Sequence, residues 1–239
     1  MTELLPLFLN LTGRTVLLVG GGPVGTAKLR QLLAAGADVR VVAPEITDEI
    51  AGREVDSPAP QPWVTVMRRP FEPADLDGVW LVVAAATPEV NRHVAELAEA
   101  RHIFVNAVDD PANASAFLSG VVRRDGVTLA ISTSGAAPGL ASLLREGLDA
   151  LLPPDLGVWM WQARAARMAW RRDGVPMDER KPLLLRALNA LYEAGTAEPA
   201  ESAENNRLFA ISAFSPVASS SSDRGARVPW LNAPEDSWL

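Results

Sequence analysis

Three glycines near the amino terminus have the spacing of a phosphate-binding turn. Gly20, Gly22 and Gly25 form a G-x-G-x-x-G pattern between an apolar run and a segment with helical spacing. The first glycine allows a sharp turn, the second lets the backbone approach a pyrophosphate, and the third lets the helix pack closely on the strand. The pattern predicts a dinucleotide site; the alternative is a turn that serves structure alone.

Asp109 is the acidic residue best placed for catalysis. It follows a predicted strand at residues 103–107, on the sheet edge where a fold of this kind places its reacting groups. A carboxylate there could accept a proton while a hydride leaves to a nicotinamide. The pattern Asp109-Asp110-Pro111 also suits a simple turn, so the residues alone leave catalysis and turn formation equally supported.

The end of the second predicted strand indicates which dinucleotide is preferred. An acid at this position commonly binds the adenosine ribose, but residues 42–44 are Val, Ala and Pro, and Glu45 is the nearest acid. Because no arginine is there to meet a 2′-phosphate, NAD is favoured over NADP. Pro44, Glu45 and Thr87, which begins a later helix on the same edge, are expected to contact the cofactor.

Alternating strands and helices must position these residues. Apolar and β-branched runs predict strands at residues 15–19, 38–42, 63–67, 79–86 and 103–107, with helices after the first and fourth. This order predicts an α/β fold, a Rossmann-type parallel sheet with helices on both faces. The apolar lead-in at residues 4–11 is expected to pack against the sheet, and Val24 is expected on the apolar stripe of the first helix.

A different pattern begins after Asp109. Residues 116–123 and 127–132 flank Asp125-Gly126, which predicts a β-hairpin that serves association. Helices are expected near residues 139–152, 156–172 and 178–194. The predicted organisation is an NAD-binding domain at 1–112, a dimerisation hairpin and helix at 113–152, a small helical domain at 153–196 and a disordered, low-complexity tail at 197–239, in which residues 208–214 could dock locally.

The helical region concentrates positive charge in an acidic chain. The protein has a formal net charge of -7, yet Arg164, Arg167 and Arg171 lie among several basic residues between positions 164 and 186. A solvated helical face is the simpler interpretation, and a site for a polycarboxylate is the alternative.

Composition excludes several functional classes. The chain has no cysteine, so it has no disulfide, thiolate metal site or iron-sulfur cluster. His93 and His102 have no partners at ligand spacing, so no fixed metal site is expected. The negative charge argues against nucleic-acid binding. No apolar run reaches the ~20 residues that cross a bilayer, and the amino terminus does not match a signal peptide, so we expect a cytoplasmic protein without membrane contact.

Six short motifs occur in a fixed order along the chain. They are LPLF at 5–8, VGGGPV at 19–24 with Lys28, VVAP at 41–44, AAAT at 84–87 with Asn91, NAVDDP at 106–111 and ISTSGAAP at 131–138. These motifs resemble those of the precorrin-2 dehydrogenase/sirohydrochlorin ferrochelatase family, whose module also forms the N-terminal part of siroheme synthase. The resemblance extends from about residue 4 to residue 152.

The resemblance implies a reaction and a set of catalytic and cofactor residues. The reaction is the NAD-dependent oxidation of precorrin-2 to sirohydrochlorin, followed in many members by insertion of ferrous iron to give siroheme. Asp109 matches the family's catalytic aspartate, which is thought to serve both steps. Pro23 and Val24, together with Pro44 and Glu45, match positions that contact NAD. A homodimer built through the hairpin and the following helices is also implied.

The same resemblance suggests how the tetrapyrrole is held. The substrate's carboxylates would explain the cluster of Arg164, Arg167 and Arg171, because arginines attract and bind such groups. Asn106 and Ser115 are further expected substrate contacts. Thr133 stands where some siroheme synthases carry a phosphorylatable serine, which leaves that regulation open. No methyltransferase part is recognised, so methylation of uroporphyrinogen is expected from another protein. The alternative function is a non-catalytic NAD-sensing regulatory module.

Overall fold

A five-stranded parallel sheet forms the amino-terminal part of the computed structural model, which describes residues 4–54 and 62–195. The strands are β1 (Thr15–Val19), β2 (Asp38–Val42), β3 (Val64–Met67), β4 (Leu81–Ala84) and β5 (Phe104–Ala107), in the spatial order β3-β2-β1-β4-β5. The predicted loop near residues 52–62 lies partly, and the predicted tail wholly, outside the described residues. The strand order confirms the predicted Rossmann-type sheet.

The register brings three strand ends to one level. Val19 at the end of β1 pairs with Val42 of β2 on one side and with Ala84 of β4 on the other. The helices are α1 (Pro23–Ala34), α2 (Asp48–Ala51) and α3 (Pro88–Glu99). Because parallel strands share one carboxyl edge, the turns that follow β1, β2 and β4 lie side by side.

Apolar side chains cover both faces of the sheet. On one face Leu18 and Val83 pack in a cluster with Leu29 and Leu32 of α1. On the other face β1 and β4 contribute Leu17, Val19, Val82 and Ala84, which pack with Val94 and Ala98 of α3. Successive strand residues point to opposite faces, so strands buried on both sides read as continuous apolar runs. The predicted helices on both faces are therefore confirmed.

Two packing predictions for the first 34 residues are wrong. Leu4, Leu5, Leu7, Phe8 and Leu9 are exposed, and of the described lead-in Leu11 is the buried apolar residue. Val24 is exposed as well, because it lies in the first turn of α1, beyond the sheet edge. Apolar character alone does not tell a core position from a surface that is covered by something else.

The chain divides into two compact units. The first comprises the described residues up to Val121 together with Ala130–Gly147, and the second comprises Val122–Leu129 and the described residues from Leu148. The chain crosses from one unit to the other within the β-hairpin of β6 (Gly120–Arg124) and β7 (Val127–Ile131), and it crosses again within α4 (Pro138–Leu151). The four-part division predicted from the sequence remains a prediction.

The second unit is built mainly from two helices, α5 (Leu156–Arg172) and α6 (Met177–Gly195). Leu156, Trp159 and Leu188 form its buried cluster. The Arg124 guanidinium donates to the Leu152 carbonyl oxygen at 3.0 Å and pairs with Asp149 at 2.8 Å. In the described parts of both units, no helix is long and apolar enough to cross a membrane.

Candidate functional site

The glycine turn after β1 is fixed by close backbone approaches. Gly20 has a φ of 116°, and a Cβ at this position would overlap the Ala85 carbonyl group that follows β4. A Cβ on Gly25 would overlap the carbonyl oxygen of Gly20. In contrast, a Cβ on Gly22 would have no neighbour within 4 Å. Packing therefore requires Gly20 and Gly25, while Gly22 leaves open space in front of the turn.

Gly21 is a third glycine that packing requires, and the G-x-G-x-x-G spacing does not reveal it. A Cβ there would overlap the Glu45 carbonyl oxygen, because the segment after β2 crosses directly over the turn. The Thr47 backbone N–H donates to the Gly21 carbonyl oxygen at 3.0 Å, and the Thr47 and Thr26 hydroxyls are 2.8 Å apart. Two threonines far apart in sequence thus hold the turn in place.

The first turn of α1 presents its backbone N–H groups without a side-chain cap. Gly22 is the residue before the helix, Pro23 is the first helical residue, and no side chain accepts from the helix N-terminus. Unpaired N–H groups and the helix dipole make such a terminus attractive to a phosphate. The predicted residues Gly22, Pro23, Val24 and Gly25 therefore surround a position suited to a pyrophosphate.

A cavity of about 460 Å³ opens beside this turn, at the carboxyl ends of β1, β2 and β4. Its volume falls in the range of small-molecule sites. It is lined by Val19, Gly20, Val42, Ala43, Pro44, Pro70, Phe71, Ala86, Thr87, Glu89, Val90 and His93. Pro44 and Thr87 line it as predicted, whereas Glu45 instead lies with its carbonyl oxygen against Gly21.

Asp109 lies just beyond β5, on the same carboxyl edge of the sheet. The Val108 N–H donates to the Ala84 carbonyl oxygen at 2.9 Å, which keeps this turn against the end of β4. Asp109 itself is exposed and has a φ of 57°, a left-handed conformation that is uncommon outside glycine and often found at functional sites. The neighbouring Asp110 instead accepts a hydrogen bond from Asn113 Nδ2 at 2.7 Å.

A loop from later in the chain packs on the Asp109 turn. Gly135 has a φ of 76°, and a Cβ there would lie 2.8 Å from Cγ of Pro111. The same loop precedes α4, and the Thr133 hydroxyl oxygen accepts from the Ala137 N–H at 3.2 Å. Thr133 therefore organises the start of α4 close to the Asp109 turn.

Lys28 of α1 and Asn106 of β5 lie on the same face of the sheet, and each has a property that is relevant to this site. Burial lowers the pKa of Lys28 below its usual value, and the negative charge of Asp109 offsets part of that lowering. Asn106 is buried; its Nδ2 donates to the Ala116 carbonyl oxygen at 3.0 Å, but its Oδ1 has no hydrogen-bond partner among the described residues. A buried acceptor without a partner is uncommon in proteins and indicates a position where a ligand can donate.

The other predicted substrate contacts differ in their setting. The Ser115 hydroxyl oxygen accepts from the Val105 N–H at 2.9 Å, which ties it to β5. Arg164, Arg167 and Arg171 belong to the second unit, where they are exposed along α5 and make no ion pair with a described residue. Within residues 4–54 and 62–195, no group of three or more His, Asp or Glu side chains could hold a metal ion.

Comparisons with known proteins point to one family. A family model of NAD(P)-binding domains matches residues 7–120. Siroheme synthase 3 of Aeromonas hydrophila subsp. hydrophila is 40% identical over 207 residues, which cover 86% of this chain and 43% of that protein. Siroheme synthase of Baumannia cicadellinicola is 41% identical over 180 residues, which cover 71% of this chain and 38% of that protein. The chain thus spans about two fifths of the length of these curated relatives.

The solved structure of SirC, a precorrin-2 dehydrogenase, has the same fold. It matches with a TM-score of 0.63 and 23% sequence identity, over 88% of this chain and 98% of that one. The order of motifs, the glycine turn and the relatives agree with one another. The chain belongs to the precorrin-2 dehydrogenase/sirohydrochlorin ferrochelatase family.

Proposed function

We propose that the protein oxidises precorrin-2 to sirohydrochlorin, with NAD as the hydride acceptor. The observation that carries the proposal is the placement of Asp109 on the same sheet edge as the uncapped start of α1. This edge is where α/β folds assemble their reacting groups. The names of the siroheme synthase relatives support the same reaction, whereas an NAD-sensing module without turnover has no such support.

The glycine turn and its cavity fit a dinucleotide. The open space in front of Gly22 and the free N–H groups of α1 suit a pyrophosphate, and the adjoining cavity of about 460 Å³ suits an adenosine. NAD supplies the acceptor for a hydride when it is bound. The backbone turns around Gly20 and Pro44 then fix the direction in which the cofactor runs along the sheet edge.

Asp109 is the proposed base. Oxidation removes two electrons and two protons from the tetrapyrrole, one proton leaving within the hydride and the other going to a base. The Asp109 carboxylate is exposed, so it can accept that second proton. The free Oδ1 of Asn106 is the proposed acceptor for an N–H group of the substrate.

The arginines of α5 are proposed to bind substrate carboxylates. Arg164, Arg167 and Arg171 recur at helical spacing of three and four residues, so they lie on neighbouring surface positions of one helix. Arginine matches a carboxylate through paired N–H groups, and these three have no acidic partner of their own among the described residues. A polycarboxylate is the substrate class that such a cluster suits.

We also infer that two copies of the chain form a homodimer. Leu140, Leu143, Leu144, Leu148 and Leu151 lie exposed along α4. The positions recur at three and four residues, so the leucines form one stripe. A stripe of this kind usually marks an interface, and dimers with two-fold symmetry are the commonest assemblies.

We also propose that the enzyme is located in the cytoplasm, where NAD is available to it.

The direct test is to incubate the purified protein with precorrin-2 and NAD. We expect NADH to form together with the absorption spectrum of sirohydrochlorin. NADH formation no faster than in a control without protein would contradict the proposal. Adding ferrous ion after oxidation is complete then decides whether the same protein inserts iron, because siroheme and sirohydrochlorin have different spectra.

A further inference from the structure

One acidic side chain lies in the cavity next to the glycine turn. Of the described residues that line this cavity, Glu89 is the one that carries a carboxylate, and it lies in the first turn of α3. The end of β2, where related folds place an acid for the adenosine ribose, has Ala43 and Pro44 instead. Glu89 therefore supplies, from a different element, the charge that β2 lacks.

The Glu89 carboxylate is ionised at neutral pH. Its own backbone N–H and the Thr87 hydroxyl both donate to it, and they lower the pKa of Glu89 below its usual value; Arg92 on the next turn adds to this effect. These donors hold the anion at the start of α3, where the helix dipole also favours negative charge. The cavity is thus lined by one negative charge, on the exposed Glu89 side chain.

The two arginines that precede the lining residues Pro70 and Phe71 are already paired. Pro70 and Phe71 line the cavity, and the two residues before them are Arg68 and Arg69. Arg68 forms an ion pair with Glu54 at 2.7 Å, and Arg69 forms one with the buried Asp75 at 2.6 Å. Both guanidinium groups therefore already have an acidic partner. His93 also lines the cavity, and its ring lies edge-on to Phe71 with 6.1 Å between ring centroids.

We propose that Glu89 determines cofactor specificity, selecting NAD over NADP at the adenosine end of the cavity. Its carboxylate accepts a hydrogen bond from the adenosine ribose of NAD and repels the 2′-phosphate of NADP. The proposal rests on the proposed function in one respect, namely that this cavity binds the adenosine of a dinucleotide. A role in capping α3 alone gives Glu89 no influence on which dinucleotide binds.

Binding measurements on the full chain test the proposal without any turnover. The dissociation constants of NAD and NADP are measured by calorimetry for the wild type, Glu89→Gln and Glu96→Gln. Glutamine keeps the size of the side chain and an oxygen that can cap the helix, but removes the charge. Glu96 is also exposed on α3 and lies outside this cavity, so Glu96→Gln controls for the loss of one charge from the same helix.

We expect Glu89→Gln to reduce the preference for NAD over NADP at least ~10-fold, partly through weaker NAD binding and partly through tighter NADP binding. Glu96→Gln should keep the wild-type ratio. An unchanged ratio in Glu89→Gln would overturn the inference while leaving the proposed function intact. If the wild type binds neither dinucleotide, the proposed function fails along with the premise of this inference.

A hypoxanthine analogue of NAD, which lacks the adenine amine, tests whether Glu89 contacts the ribose. If Glu89→Gln no longer weakens the binding of this analogue, Glu89 contacts the adenine amine instead, and the proposed ribose contact is overturned.

Discussion

Asp109 combines three properties that suit a base at the residue scale. It is exposed, it has a left-handed backbone, and its neighbour Asp110 takes the structural hydrogen bond of the turn. Aspartate and asparagine tolerate this backbone conformation better than other residues with a Cβ. The adjacent acid stabilises the turn, which leaves the carboxylate of Asp109 available for its proposed role as the base.

We expect Asp109→Asn to lower kcat for precorrin-2 oxidation by at least ~10²-fold with little change in NAD affinity, because the substitution removes the base but keeps its volume and backbone preference. Steady-state kinetics and a separate NAD titration measure the two quantities. Asp110→Asn is the matched control and should retain most of the activity. Comparable activity in Asp109→Asn and the wild type would exclude Asp109 as the base.

The Lys28 ammonium group provides a probe of Asp109 that needs no substrate. Burial lowers the pKa of Lys28, and Asp109 works in the opposite direction. Asp109→Asn removes the raising influence, so the pKa of Lys28 should fall further and the neutral amine should appear at lower pH. The chain has two lysines, Lys28 and Lys181, so NMR of lysine-labelled protein can follow the Lys28 signal with little overlap.

Asp110→Asn is the matched control for this titration, because Asp109 and not Asp110 is the acid that raises the pKa of Lys28. The Lys28 midpoint should be the same in the wild type and in Asp110→Asn. A Lys28 midpoint that does not move in Asp109→Asn, or that moves upward, would show that the two charges do not interact in solution.

At the scale of elements, the glycine turn separates a structural role from a binding role. Gly20→Ala introduces a Cβ against the Ala85 carbonyl group at a φ of 116°, so it should destabilise the protein by about 3 kcal/mol, or lower Tm by roughly 10 °C. Gly22→Ala has open space around its Cβ and should change the free energy of unfolding by less than about 0.5 kcal/mol.

The same pair of variants should rank differently in cofactor binding. The Gly22 Cβ would stand where a pyrophosphate approaches, so Gly22→Ala should weaken NAD binding at least ~10-fold at unchanged Tm. Thermal unfolding and NAD titration on each variant measure the two effects. Normal NAD affinity in Gly22→Ala would show that the cofactor does not cross the front of this turn.

The sequence allowed the sheet and the glycine turn to be predicted because their signals are local. A run such as β1 is apolar throughout since it is buried on both faces, and Gly20 and Gly25 have fixed spacing. The role of Gly21 could not be predicted, because it depends on a segment more than twenty residues away that crosses over the turn. The left-handed backbone of Asp109 depends likewise on the packing of the whole turn.

Glu89 shows the same limit for a binding residue. The missing acid at the end of β2 is visible in the sequence, but its replacement from α3 depends on how β2 and α3 meet around the cavity.

Burial was mispredicted for the lead-in at residues 4–11, because an apolar run indicates that a surface is covered without telling what covers it. Both gaps involve contacts that the order of residues does not encode locally.

At the scale of the whole molecule, the exposed leucine side chains are a feature that a monomer does not explain. Leu143 and Leu151 on α4 are 70% and 72% exposed, and Leu5 of the lead-in is 79% exposed. Burying a leucine side chain stabilises a protein by about 2 kcal/mol. A stripe of five exposed leucines on one helix is therefore a substantial driving force for association, whereas the acidic net charge of the chain limits unspecific aggregation.

Leu143→Lys should dissociate the proposed dimer. In an interface with two-fold symmetry each substitution occurs twice, so the loss of about 4 kcal/mol should raise the dissociation constant of the dimer about 10³-fold. Ser142→Lys is the matched control, because Ser142 is exposed and lies away from the leucine stripe. The lysine of this variant can form a favourable pair with Glu146 one turn later.

Sedimentation velocity over a range of protein concentrations should give a monomer for Leu143→Lys and a dimer for both the wild type and Ser142→Lys. A wild type that sediments as a monomer at all concentrations would remove the dimer from the proposal, and a dimeric Leu143→Lys variant would move the interface away from α4.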